Sequence, residues 1–155
     1  MYNIESLENI RDIFSILHDG FITDHYGNHN LLVLTVDCKF LAAQINESFE
    51  KFYVHLIEIN NLFLVTWPND FYLPIQKLNE PNDIFKAKLE ILSSEIRDYK
   101  VIVECNQPDL NFDYCGGNLI IDCRKIEIYD QANNQITIDK LEKIFKDYWS
   151  HESKK

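Results

Sequence analysis

Glycine and proline are scarce, four of each in 155 residues, and methionine occurs once. So few chain breakers exclude collagen-like, low-complexity and loop-dominated classes. Cysteine occurs as Cys38, Cys105, Cys115 and Cys123, never as C-x-x-C, and the spacing matches no zinc signature. Each cysteine sits beside apolar residues of strand character, so most are expected to be buried free thiols. No apolar run reaches about 18 residues, so no membrane-spanning helix and no membrane partner are expected. The first residues lack a basic segment followed by an apolar stretch. No signal peptide is therefore expected, and a reducing cytoplasm is the default location. A glycine-rich phosphate loop, a dinucleotide fingerprint, a serine elbow and paired catalytic carboxylates are all missing. The expectation is a protein that is not an enzyme and uses no cofactor.

Positive charge is also in short supply. There are 15 Lys and Arg against 25 Asp and Glu, a formal net charge of -10. Nucleic acid is a poor partner for such a chain, because phosphate neutralisation needs Lys and Arg. The acid is uneven. Residues 1–50 carry eight acidic and two basic residues, and residues 101–130 carry six and two, whereas 51–100 are nearly balanced at seven and six. A field of this kind steers a basic partner, although it also serves solubility alone.

What is abundant is apolar and aromatic: 46% and 13% of the chain. This length and composition fit one domain over residues 1–150 followed by a frayed tail, 151–155. Leu7, Ile10, Ile13, Phe14 and Leu17 recur at helical spacing. Asn3 or Ser6 is available as a cap, and Gly20 as the left-handed exit. Leu32, Leu34, Val36 and Cys38 alternate with polar or smaller residues, as one face of a strand does. Gly27 to Asn30 reads as a turn. Phe40 to Ala43 continues that strand or leads out of the sheet.

Phe52–Ile59 and Leu62–Trp67 read as two strands joined by a tight hairpin at Asn60-Asn61, since Asn tolerates positive φ. Phe85, Ala87, Leu89 and Ile91 alternate as a strand, although Asp83 to Ile96 also suits a helix. Val101–Cys105, Phe112–Tyr114 and Leu119–Ile128 are further strands, with Gly116-Gly117 and Asn133-Asn134 as turns. Thr137 caps a last helix with Asp139 in its first turn. The expected fold is α+β, a mostly antiparallel sheet of about six to nine strands with an N-terminal and a C-terminal helix.

Few residues carry chemistry. His18, Asp19 and Gly20 form a junction between the first helix and the strands, with His25 and His29 following. Imidazole and carboxylate can hold a divalent metal or work as a general-base pair. The same residues make an ordinary structural junction, with His18 against the helix C-terminus and Asp19 closing a turn, and that reading is preferred with no metal site. Cys115 beside Gly116-Gly117 is a nucleophile only if His55 reaches it. Asp109, Asp113, Asp122 and Asp130 lack the calcium-loop pattern and read as a solvated acidic face. After Trp67-Pro68, the run Asp70, Phe71, Tyr72 combines a loop, an acid and two aromatics, and is a candidate contact surface together with Asp109 and Asp113.

The stretch Ile16 to Ile22, with its Leu-His-Asp-Gly core, resembles a pattern in small bacterial proteins that have a His-Asp-Gly or His-Asp-Ala helix–strand junction. Leu32 to Cys38, Phe40 to Ala42, Gly116 to Tyr129 and the final helix with Tyr148-Trp149 fit the same outline. Some proteins of this look are immunity proteins, which neutralise toxins delivered by competing bacteria. The resemblance implies a cytoplasmic binding protein whose partner is a basic toxin domain. Two other readings follow from the residues. One is an assembly protein that forms a homodimer. The other is a small metal-dependent enzyme using His18, Asp19 and His25.

Overall fold

A computed structural model of the chain describes residues 4–152. The first element, α1 (Ile4–Ile16), is an amphipathic helix whose Leu7, Ile10, Ile13 and Phe14 are buried. Together with Leu17 these are five large apolar side chains facing inward. At about 1.5–3 kcal/mol each their burial amounts to roughly 10 kcal/mol, comparable to the whole net stability of a domain. Ser6 does not cap this helix. Its hydroxyl donates to the Arg124 carbonyl, 2.7 Å away, and so ties α1 to a distant strand. Asn3 lies outside the described residues.

The helix ends differently from expectation. Asp19, not Gly20, takes the left-handed conformation, with φ of 69°. The Asp19 N–H donates to Ile91 O at 2.7 Å, and the Gly20 carbonyl accepts from Ile91 N at 2.8 Å. Gly20 is needed for space: a Cβ there would lie 2.9 Å from Leu17 O and 3.2 Å from Asp37 O. Aspartate tolerates the left-handed region better than alanine does. Asp19→Ala is therefore expected to cost about 1 kcal/mol, while Asp19→Gly is neutral or stabilising. Urea denaturation of the two variants checks this; equal losses would show that the carboxylate, not the backbone, matters.

The remaining elements are β1 (Phe21–Gly27), β2 (Leu31–Asp37), α2 (Lys39–Ala42), β3 (Lys51–Pro68), β4 (Lys77–Leu78), α3 (Pro81–Ile84), β5 (Leu89–Arg97), β6 (Lys100–Asn106), β7 (Tyr114–Tyr129), β8 (Gln135–Ile136) and α4 (Ile138–Glu152). The eight strands form one antiparallel sheet in the order β4-β3-β2-β1-β5-β6-β7-β8. Pairing of β3 with β7 closes the ladder into a barrel. The opposite seam is thin: β1 meets β5 only through Phe21↔Glu90 and Ile22↔Leu89. An α+β domain with a helix near each end is the result, as the alternation of apolar residues implied. Among the described residues no helix is long and apolar enough to cross a membrane.

Several local expectations are overturned. Asn60-Asn61 is not a hairpin. Strand β3 runs through it, pairing with β7 on both sides of a one-residue register shift between Ile59 and Asn61. Glu58, with φ of 52°, supplies the positive φ, so the chain bends there and does not reverse. Gly116-Gly117 is not a turn either. Both lie inside β7, opposite Trp67 and Thr66 on one side and Asn106 and Cys105 on the other. A Cβ on Gly116 would stand 2.3 Å from Cys105 O and 2.7 Å from Trp67 Cε3. These glycines let backbones and a tryptophan ring approach closely.

Phe40 to Ala42 belong to the short helix α2. Residues 85–91 do alternate buried and exposed, but the strand begins at Leu89, after the single turn α3. Tyr114 alone of the segment 112–114 is strand. Asp130 is 5% exposed, and its carboxylate accepts from Ala132 N and Asn134 N, both at 2.9 Å. It organises the turn into β8 and is no part of a solvated face. Thr137 caps α4 as expected, its Oγ1 accepting from Lys140 N at 3.2 Å. The helix runs through His151 and Glu152, past the predicted limit at 150, and residues 153–155 lie outside those described.

Candidate functional site

At the end of β3, Pro68 leads into a loop, residues 69–76. The loop closes on buried Thr66, whose N–H donates to Gln76 O at 3.0 Å and whose Oγ1 accepts from Gln76 N at 2.9 Å. Opposite it, before β7, lies the loop 107–113. Gln107 is 3% exposed and holds this loop from within. Its side-chain amide donates to Asp109 O and Tyr114 O, each at 2.8 Å, and its Oε1 accepts from Asp109 N at 2.7 Å. Asp109 Oδ1 accepts from Asn111 N at 2.9 Å. Asn69 joins the two loops: its backbone N–H donates to Asp113 O at 3.1 Å and its side-chain amide to Phe112 O at 2.9 Å.

This construction brings together the five contact candidates from two distant segments. Asp70, Asp109 and Asp113 are exposed, Phe71 is 101% exposed and Tyr72 is 72% exposed. Phe71 and Tyr72 meet edge to face with centroids 5.7 Å apart, and the Tyr72 hydroxyl donates to Asp70 Oδ2 at 3.2 Å. Sequence reasoning missed Leu110, 96% exposed, and Ile75, 70% exposed. A leucine between the turn formers Asp109 and Asn111 was the available signal for the first. Neither loop contains a lysine or arginine. Four large apolar side chains thus stand in water among three carboxylates, on loops stiffened by internal hydrogen bonds. That combination suits recognition of another macromolecule, because apolar anchors and low ordering cost favour binding.

The histidine junction has a different character. His18 Nδ1 is 2.9 Å from Ser15 O, and its ring stacks on Trp149 with centroids 5.4 Å apart, next to Phe145 at 5.7 Å. Asp19 Oδ2 is 3.8 Å from His18 Nε2. His25 lies further along β1, where Nε2 is 2.9 Å from Asn82 Oδ1 and the ring packs on Phe85. From Phe21 to His25 the strand alone advances about 13 Å. His18 and Asp19 therefore do not converge with His25. Among the described residues no group of three His, Cys, Asp or Glu side chains is placed to hold a metal ion.

His55 and Cys115 are also apart. His55 faces Glu127, whereas Cys115 Sγ contacts Trp67 O, twelve positions or about 40 Å of strand away. Burial lowers the His55 pKa, opposed by the Glu127 carboxylate, and the ring packs on Tyr129 with centroids 4.3 Å apart.

Cys38, Cys105 and Cys123 are buried and Cys115 is exposed. Burial pushes each of the three buried thiols up to about 12. A thiol reagent is expected to label only Cys115 in the native protein and all four cysteines after unfolding. Labelling of the other three at the same rate would show a loosely packed core. Because folding raises these pKa values, their stabilising contribution is complete below pH 9 and is lost as pH climbs towards 12. Each buried thiol should remove on the order of 1 kcal/mol per pH unit in that window. Urea midpoints measured across it, with Cys105→Ala flattening the slope, provide the check.

Comparison with known proteins finds no family model that matches the chain, and no significantly similar curated protein or solved structure.

Proposed function

We propose that this protein is a binding module that acts through the two-loop end of its barrel on a basic protein partner. In the reading that its helix–strand junction suggests, it is an immunity protein and the partner is a toxin domain that it neutralises by contact. One observation carries the proposal: Phe71 and Leu110, from loops 69–76 and 107–113, stand almost wholly in solvent on a hydrogen-bonded platform whose charges are all negative. Loops without such a role usually turn large apolar side chains inward or are polar. Self-association through the same end is the weaker alternative, because it would set Asp70, Asp109 and Asp113 of two copies against one another.

Charge and packing predict separable effects. Asp113 uses its backbone carbonyl, not its carboxylate, to hold Asn69. Asp113→Lys should therefore keep the fold and slow association with a basic partner, with less effect on dissociation. Asp109→Lys also removes the bond to Asn111 N and carries a stability cost of about 1 kcal/mol. Surface plasmon resonance against a candidate basic domain at two ionic strengths tests the assignment. An association rate indifferent to salt and to Asp113→Lys would overturn it. Sedimentation velocity addresses the homodimer reading.

A further inference from the structure

A cleft of about 420 Å³ lies beside the thin β1–β5 seam, between Phe21, the segment 86–88 and the start of loop 107–113. This volume falls within the range of about 300–1,000 Å³ typical of small-molecule sites. Its apolar lining comes from Phe21, Ala87 and Pro108. Lys86 and Lys88 are exposed on either side of buried Ala87, in the bend that precedes β5, and both line the cleft.

The charge arrangement is unusual for this molecule. The chain has ten more acidic than basic residues, yet neither Lys86 nor Lys88 forms an ion pair among the described residues. The one carboxylate in the lining, Asp109, accepts from Asn111 N within its own loop and keeps its charge, so the lining carries two cations and one anion. The wall opposite the lysines is rigid, because Gln107 spends its side-chain amide and carbonyl on Asp109 and Tyr114. Two cations against one carboxylate in a cleft with apolar walls complement one class of ligand, in which an anionic head is joined to an apolar body.

We propose that this cleft is a binding site for a small amphipathic anion, its carboxylate or phosphate head between Lys86 and Lys88 and its apolar body against Phe21, Ala87 and Pro108. The cleft shares Asp109 with the candidate contact surface but includes neither Phe71 nor Leu110, and the proposal stands whether or not that end binds a protein.

The test is a titration of the ¹⁵N-labelled full chain with 3-phenylpropionate, phenyl phosphate and the neutral 3-phenylpropan-1-ol, followed by amide chemical shifts. The expected result is saturable movement confined to the amides of residues 21, 86–88, 107 and 109 for one or both anions. The alcohol should bind about tenfold more weakly, and the Lys86→Glu, Lys88→Glu double variant should lose about the same factor for the anions. Attraction between exposed charges is modest, which sets that scale. Both lysines are exposed, so the double variant should retain the wild-type amide spectrum elsewhere. The two anion arms separate a carboxylate ligand from a phosphate one. The proposal is overturned if neither anion saturates, if the shifts centre on Phe71 and Leu110, if the alcohol binds equally well, or if the folded double variant binds the anions unchanged.

Discussion

Phe71→Ala is expected to weaken binding to the partner roughly 30- to 1,000-fold while leaving the melting temperature within about 1 °C of the wild type. The two halves of this expectation have one cause. Phe71 is 101% exposed, so its ring contributes almost nothing to the folded core. Its ring meets Tyr72 edge to face, and the loop carrying it is held through Asn69, Thr66 and Gln76. A partner that buries the ring would remove it from water on an already ordered platform, and dissociation would accelerate when it is gone. Leu110→Ala should act in the same direction with a smaller effect, because less apolar surface is lost. Calorimetric affinity and thermal melts on the same preparations separate binding from stability. A Phe71→Ala variant that binds the cognate partner like the wild type would place the interface elsewhere on the molecule.

Gly116→Ala is expected to destabilise the fold by about 3 kcal/mol, a fall in melting temperature of roughly 6–12 °C for a chain of this size. One methyl group has this effect because of where the strand lies. The added Cβ would meet Cys105 O at 2.3 Å and the Trp67 ring at 2.7 Å, so β6 or the ring must move away. Neither moves freely, since Gly116 is paired on both sides, with Trp67 and with Asn106, where β7 enters the closed ladder. Gly117→Ala should be similarly costly, its Cβ standing 2.6 Å from Val65 O. If Gly116 were in an exposed hairpin turn, the same substitution would cost about 1 kcal/mol or less. Urea midpoints with an unchanged m-value distinguish the two cases.

Local patterns were sufficient for the elements whose signal lies within a few residues. The helical spacing of Leu7 to Leu17, the turn at Asn133-Asn134 and the Thr137 cap depend on neighbours in the chain and form where they were read, and the run from Leu32 gives a strand that ends at Asp37, with Val33 buried as well as Leu32 and Leu34. The α+β class and the antiparallel sheet followed from the same periodicities. The contact candidates Asp70, Phe71 and Tyr72 were legible because Pro68 ends a strand just before them. Leu110 and Ile75 were not, because an isolated apolar residue in a loop is as often buried as exposed.

What depends on distant partners was decided only in three dimensions. A pair of asparagines permits either a reversal or a bulge, and β7 selected the bulge by pairing with both halves of β3. Two adjacent glycines permit either a turn or a close approach, and the carbonyls of Cys105 and Val65 made it the latter. The junction His18-Asp19-Gly20 ends a helix in either account, but the hydrogen bonds of Asp19 and Gly20 to Ile91 on β5 decided which residue turns left-handed. The acidic composition was likewise evident from the start. Its gathering around exposed aromatic and aliphatic side chains was not, because Asn69 has to bridge segments some forty residues apart before Asp70 and Asp113 share one end of the barrel. Periodicity carries information about which face a residue occupies, and pairing carries the information about which other face it meets.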